Sequence, residues 1–324
     1  MRSHTFSQEL KRCKNMLTRI ISGAWYMGLL ALAYLLKIFV PQIGGVAIGD
    51  FFVDILIYVF ALVGTFEMVR ALKDRLTKAE QIVAYSFALL CIPIGVVMKT
   101  LLDWGITSVG FCVIVLTVAL LSLLVFQHDK TSLESVGLTF LASVYPTVFL
   151  SVMMIANHAQ VPSRLEHFAF DSRLLVLFIF LLVPAVDSFA YLFGRFLGKK
   201  FPKKMAPVLS PKKTVVGCIG GVIGGLVCAT VIYFVYNALL GSYDLMHIWL
   251  PVYLLIGFLT SLATIFGDLV ESCIKRKLYI KDMGDLMPGH GGILARIDSA
   301  LFASIAVYVV YALIAWVVYP MGGI

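Results

Sequence analysis

"LLVLFIFLLVPAVDSFAYLF", Leu174 to Phe193, decides the fold. An α-helix needs about 20 predominantly apolar residues to cross the hydrocarbon core of a bilayer, and this stretch has that length and character. It holds no base and a single acid, Asp187. An ionised acid at mid-membrane costs about 2.5 to 3.5 kcal/mol on insertion scales, so Asp187 needs a partner, a metal or a wet cavity. The stretch therefore predicts a membrane span and marks a first functional candidate.

Similar windows recur along all 324 residues: Leu17 to Phe39, Phe51 to Val69, Ile82 to Val97, Ile106 to Phe126, Val136 to Ala156, Val216 to Leu240, Ile248 to Phe266 and Ile297 to Tyr319. With Leu174 to Phe193 they make nine, predicting an all-α polytopic membrane protein of nine transmembrane helices with no room for a separate soluble domain. Composition agrees, with 60% hydrophobic and 14% charged residues where a soluble domain carries about 25% charged. Mean hydropathy is +0.96. The first window follows a basic leader but is longer than a signal-peptide h-region and lacks a small-residue cleavage site, so it reads as a retained helix. The six cysteines show no CxxC or metal spacing and read as free thiols. Pro93, Pro146, Pro184 and Pro251 fall inside windows, and Trp25, Trp104, Trp249 and Trp316 near window ends, as interfacial anchors do. His4, His128, His158, His167 and His247 have no evident partner. Asp54 and Glu67, acids in the second window, lie near its ends, pair within the bundle or take a direct part in function.

The net charge of +8 becomes informative once distributed, because Lys and Arg near helix ends mark the cytoplasmic side. The leader carries Arg2, Lys11, Arg12, Lys14 and Arg19; the second loop Arg70, Lys73, Arg75 and Lys78; the sixth Arg195, Lys199, Lys200, Lys203, Lys204, Lys212 and Lys213. By contrast Pro41 to Asp50, Lys99 to Gly105 and Gly241 to His247 are nearly free of bases. This predicts a cytoplasmic N-terminus, a C-terminus outside, and both long polar loops, 195–215 and 268–296, on the cytoplasmic face. The chain then divides into an N-terminal transmembrane region, 1–172, of about five helices and a C-terminal catalytic region, 173–324. No feature calls for nucleic acid.

Two polar stretches carry the chemistry. In "SPKKTVVGCIGGVIGG", Ser210 to Gly225, Ser-Pro predicts a turn, Lys212 and Lys213 offer two cations, and Thr214 is placed to cap a helix starting at about Val215. Lysines beside a helix N-terminus suit phosphate. The glycines that follow are not a Walker loop, because they come after the lysines. Their small-xxx-small spacing predicts close helix packing. In "GDLVESCIKRKLYIKDMGDLMPGHGGILARID", Gly267 to Asp298, Asp268, Ser272, Lys275 and Arg276 share neighbouring faces of one helix running through Lys277. The Pro-Gly-His-Gly-Gly run offers backbone N–H groups to an anion directly ahead of the next helix. Acids at both ends of this loop, with lysines and a histidine between, describe a site for a metal-bound polyphosphate, since Mg²⁺ uses one or two carboxylates and lets phosphates supply the rest.

At these residues the sequence resembles the phosphatidate cytidylyltransferases, the CDP-diacylglycerol synthases. Their C-terminal signature matches Ser272, Lys275, Arg276, Lys281, Asp282, Gly284, His290, Gly291, Gly292, Arg296 and Asp298. An upstream pattern matches Asp187, Ala190, Tyr191, Gly194, Arg195, Ser210, Pro211, Lys213 and Thr214. Met287 and Val216 depart from the pattern mildly. Ala295 departs seriously, because the family has an Asp there that resembles a metal ligand working with Asp268. The resemblance implies CTP and phosphatidate as substrates, Mg²⁺ as cofactor with a second cation such as K⁺ beside it, contact with membrane lipids, a homodimer, and a bacterial inner membrane with the active site facing the cytoplasm. It assigns metal binding to Asp268 and Asp298, and catalysis to those two with Lys213 and Asp187. Substrate contact falls to Ser210, Lys212, Thr214, Arg195, Ser272, Lys275, Arg276, Lys281, Asp282, His290, Gly291, Gly292 and Arg296. The missing carboxylate predicts impaired turnover. Two other readings stay open: a catalytically dead CTP- or lipid-binding protein, and a transporter of a phosphorylated substrate, which would show internal pseudo-symmetry.

Overall fold

A computed structural model of the chain describes residues 2–40, 42–43, 46–159, 172–240, 246–287 and 291–318. Among them nine helices are long and apolar enough to cross a membrane. They are α1 (Arg2–Phe39), α2 (Ile48–Leu72), α3 (Lys78–Leu102), α4 (Gly105–Phe126), α5 (Leu133–Asn157), α6 (Ser172–Leu197), α7 (Val215–Leu240), α8 (Met246–Lys277) and α9 (Leu294–Val318). Each corresponds to one apolar window of the sequence, usually extended by a turn or two of polar residues. Two short antiparallel hairpins complete the fold: β1 (Gln42–Ile43) with β2 (Val46–Ala47), and β3 (Lys204–Ala206) with β4 (Ser210–Thr214).

Capping chemistry starts the helices sharply. Thr77 and Glu80 form a capping box at α3, and Ser132 and Ser135 form one at α5. The Ser135 hydroxyl also donates to Glu80 at 2.6 Å, so the two starts are tied together. The glycines of α7 act as their spacing predicts. A Cβ on Gly220 or Gly224 would collide with Phe193 or Phe189 of α6, and one on Gly225 would lie 3.0 Å from the Gly257 carbonyl of α8. Small residues let these backbones approach closely where lipid offers no hydrophobic drive for association. The three-helix contact α6–α7–α8 fixes where both polar loops emerge.

The opposite end of the bundle holds a buried polar cluster joining α1, α2 and α5. Lys37 pairs with Asp50 and donates to the Asn157 carbonyl at 3.0 Å. The Asn157 amide donates to Asp54 at 3.0 Å, and His158 meets the other Asp54 oxygen at 2.6 Å. Asp54 thus pairs within the bundle, and His158, which has no partner legible in sequence, belongs to the same cluster.

Candidate active site

The C-terminal end of α6, the β3–β4 hairpin, the C-terminal half of α8 and the segment leading into α9 meet at one end of the bundle. Ser210–Thr214 is a strand where Ser-Pro predicted a turn; the chain reverses at residues 207–209, before Ser210. In a strand, neighbouring side chains point to opposite faces, so Lys212 and Lys213 head in different directions. Lys212 is exposed. Lys213 turns in and pairs with Asp268. Thr214 caps α7 as expected, its hydroxyl accepting from Gly217 N at 3.1 Å. Gly194 packs beside that hydroxyl, while Arg195 is exposed and its guanidinium donates to the Tyr191 hydroxyl at 3.0 Å. Ser210 is half-buried beside the turn of the hairpin and pairs in register with Ala206.

Helices α8 and α9 cross at Gly267, where a Cβ would stand 2.6 Å from the Asp298 carbonyl and 3.2 Å from Ser299 Cα. That near-contact of backbones places Asp268 beside the first turns of α9. On α8, Ser272 donates to Asp268 at 3.4 Å, one turn away as its spacing predicts. Lys275 and Arg276 do not join them: Lys275 pairs with Glu271, and Arg276 reaches the Leu209 carbonyl at 3.4 Å, tying the hairpin to α8.

Asp187 meets the requirement that its position imposes. It is exposed, and what it faces is a cavity of about 290 Å³ that it lines with Ala295, Arg296 and Asp298. Tyr26, Leu30, Phe60 and Ile179 line the same cavity, so charged and apolar side chains share it. Asp298 is buried, at 6% exposure. An Asp at position 295 would face this space, and Ala295 leaves a methyl there.

The loop between α8 and α9 folds back on itself through a bridge between Met287 and Gly291, with Gly291 at φ +83, a conformation that favours glycine. Lys281 and Asp282 are exposed, and the Asp282 carboxylate lies against Gly291. His290 lies outside the described residues. The N–H groups ahead of α9 do receive an anion, but it belongs to the protein. Glu67 of α2 accepts from Ile293 N at 2.9 Å and Leu294 N at 2.8 Å. Gly292 packs against that carboxylate.

Two buried acids lie outside the site residues expected from sequence. Glu67 stood out only as an acid inside an apolar window, and its partner lies 226 residues away. Glu271 had a local signal, a Glu four residues before Lys275, the spacing that pairs charges on a helix.

Among the described residues, no three His, Cys, Asp or Glu side chains converge as a metal site. Asp268 and Asp298 offer hard oxygen donors of the kind Mg²⁺ takes. The Lys213 ammonium already sits on Asp268 as a cation would.

The fold and site together define an integral membrane protein with a polar candidate site at one end of a helix bundle. The chain belongs to the cytidylyltransferase family, whose sequence profile matches residues 19–314. It is 42% identical over 140 residues to a phosphatidate cytidylyltransferase of Haemophilus influenzae, covering 42% of this chain and 46% of that protein. It is likewise 42% identical over 127 residues to the protein of that name in Staphylococcus epidermidis, covering 39% and 45%. The chain thus spans about half the length of the curated relatives it matches.

Proposed function

We propose that this chain is a phosphatidate cytidylyltransferase, joining CTP and phosphatidate to give CDP-diacylglycerol and pyrophosphate, with turnover weakened by Ala295. The observation that carries this reading is the cavity of Asp187, Ala295, Arg296 and Asp298, which brings these residues together with apolar side chains of several membrane helices. A phosphate on a lipid has that same division of polarity.

The chemistry asks little of a general base, since the phosphatidate phosphate is already anionic at neutral pH. Its oxygen attacks the α-phosphorus of CTP, the bond from that phosphorus to the bridging oxygen breaks, and pyrophosphate leaves. The protein's task is alignment and neutralisation of charge. Lys213 leaves Asp268 for the triphosphate; Lys281 and Arg296 add positive charge around it. Ser272 orients Asp268, and Thr214 holds the α7 start on which Lys213 is mounted. Asp187 and Asp298 face the lipid phosphate's end of the cavity and orient Arg296. Asp268 and Asp298 would hold a divalent cation, Mg²⁺ by donor type, which supplies charge neutralisation at the phosphates. The bias of Lys and Arg puts this end of the bundle in the cytoplasm, where CTP is, and the bacterial relatives suggest an inner membrane.

Ala295 favours one second reading, a protein that binds CTP or lipid without turning it over. Purified chain and its Ala295→Asp variant, assayed side by side for CTP-dependent conversion of phosphatidate, separate the two. One lost electrostatic group commonly costs about 10²- to 10³-fold in rate, and the variant is expected to regain Mg²⁺-dependent synthesis by such a factor. Vigorous turnover by the unchanged chain, unaltered by Ala295→Asp, would remove position 295 from the site. Silence from both proteins would favour the binding-only reading.

A further inference from the structure

Glu67 lies on α2, in the half of the chain that carries none of the signature residues, and it is only 1% exposed. A buried carboxylate is costly unless every lone pair it turns inward finds a donor. Here both oxygens do: Oε1 takes Ile293 N at 2.9 Å and Oε2 takes Leu294 N at 2.8 Å. Those N–H groups belong to the last residue before α9 and to its first residue. The opening N–H groups of any helix lack partners within it, and the helix dipole favours an anion at that point. The position is filled by a side chain from another helix.

Two glycines of the signature loop are shaped around that side chain. A Cβ on Gly284 would stand 2.7 Å from Glu67 Cδ, and one on Gly292 would stand 2.5 Å from Oε2 and 2.8 Å from Cδ. The loop therefore closes on the carboxylate from both sides. Three residues earlier on α2, Gly64 packs on Leu294 and Ile297 of α9, its would-be Cβ 3.4 Å and 3.8 Å from their Cδ1 atoms. Arg70, three residues later, pairs with Asp285 of the loop at 3.1 Å. This outer pair is solvent-exposed and weak by comparison.

The geometry points to Glu67 as a positioning residue that clamps the signature loop and the first turn of α9 onto α2, and so sets where position 295, Arg296 and Asp298 stand relative to Asp268. A corollary concerns the nucleotide. The N–H groups of Ile293 and Leu294 are taken by Glu67 and are not available to the triphosphate. The clamp stands on geometry alone; its kinetic consequence rests on the cytidylyltransferase reading.

The test has two arms on the full-length chain. In the first, amide hydrogen exchange is measured by mass spectrometry for the unchanged chain, Glu67→Gln and Glu67→Ala. Gln keeps one acceptor but turns an N–H₂ toward the second backbone donor. Loss of a charged hydrogen bond predicts exchange about 10- to 100-fold faster in residues 283–297, graded Glu, Gln, Ala, with the α6–α7 contact unchanged. Gly292→Ala, which crowds the carboxylate from the loop side, gives the same local pattern and guards against a Glu67 variant that fails to fold. In the second arm, on the Ala295→Asp background, Glu67→Gln lowers kcat about 10- to 100-fold, as loss of a supporting shell does, while the KM for CTP holds. Unchanged protection of 283–297, or exchange raised throughout the molecule, would overturn the clamp. A raised KM with unchanged kcat would make Glu67 a nucleotide contact and overturn it equally. If the Ala295→Asp protein makes no product at all, the cytidylyltransferase reading fails and the exchange arm alone decides the clamp.

Discussion

Replacing Lys213 by Ala should cost this protein little stability and most of its turnover. The ammonium pairs with Asp268 with side chains 25% and 34% exposed. Two unit charges about 4 Å apart attract by about 4 kcal/mol at an effective dielectric constant of 20. Desolvation and the ordering of a long side chain offset most of this, so a pair with that exposure contributes on the order of 1 kcal/mol to folding. The same ammonium aimed at a developing phosphate charge is worth about 10²- to 10³-fold in rate, or about 2.7 to 4 kcal/mol. The two magnitudes separate a structural pair from a catalytic cation. The measurement is CDP-diacylglycerol formation from labelled CTP by the Ala295→Asp protein carrying Lys213→Ala, Lys212→Ala or Lys203→Ala, with thermal unfolding in detergent alongside. Lys213→Ala should lose the large factor while unfolding only slightly earlier. Lys212→Ala, on the outward face of the same strand, should lose far less, and Lys203→Ala least. Equal small losses for all three would mean that the loop acts through bulk charge, and the assignment of Lys213 would be wrong.

Topology is checked by single cysteines placed within 199–204 and within 278–285: both should label from the cytoplasmic side, and labelling only from outside would sink the proposed orientation together with the proposed CTP site. At the other end of the bundle, Lys37→Met leaves Asp50 and Asp54 facing each other with only His158 and Asn157. Breaking a buried pair by removing one partner costs about 3 to 5 kcal/mol, so this variant should unfold well before the parent in a detergent melt. An unshifted melt would show that the cluster does not hold α1.

The fold was legible because the bilayer simplifies the problem. With no water to satisfy backbone groups in hydrocarbon, an apolar run such as Leu174 to Phe193 has few options other than a helix, and counting runs counts helices. The packing of α6 on α7 was readable for a related reason: Gly220, Gly221, Gly224 and Gly225 recur at helical spacing, and a small residue in a membrane helix has little use except close approach. The β3–β4 hairpin was not readable. A strand of a few residues has too short a period to distinguish from a polar turn, and Ser-Pro at its start pointed to a turn. The difference matters, because the strand leaves Lys212 exposed and turns Lys213 onto Asp268.

The site was legible where its partners are close in sequence, as in Ser272 on Asp268 or Thr214 on Gly217. It was hidden where they come from distant helices. The Pro-Gly-His-Gly-Gly run illustrates the reason. Glycines before a helix look the same whether they admit a phosphate or a carboxylate from elsewhere in the chain, since both need the same bare N–H groups and the same absent Cβ. Only the third dimension tells them apart, and here it fills the space at Gly284 and Gly292 with Glu67. A glycine-rich anion loop in a membrane helix bundle therefore leaves two sources of anion to weigh, and a lone acid in an otherwise apolar window, such as Glu67, is the sequence feature that makes the internal source worth weighing first.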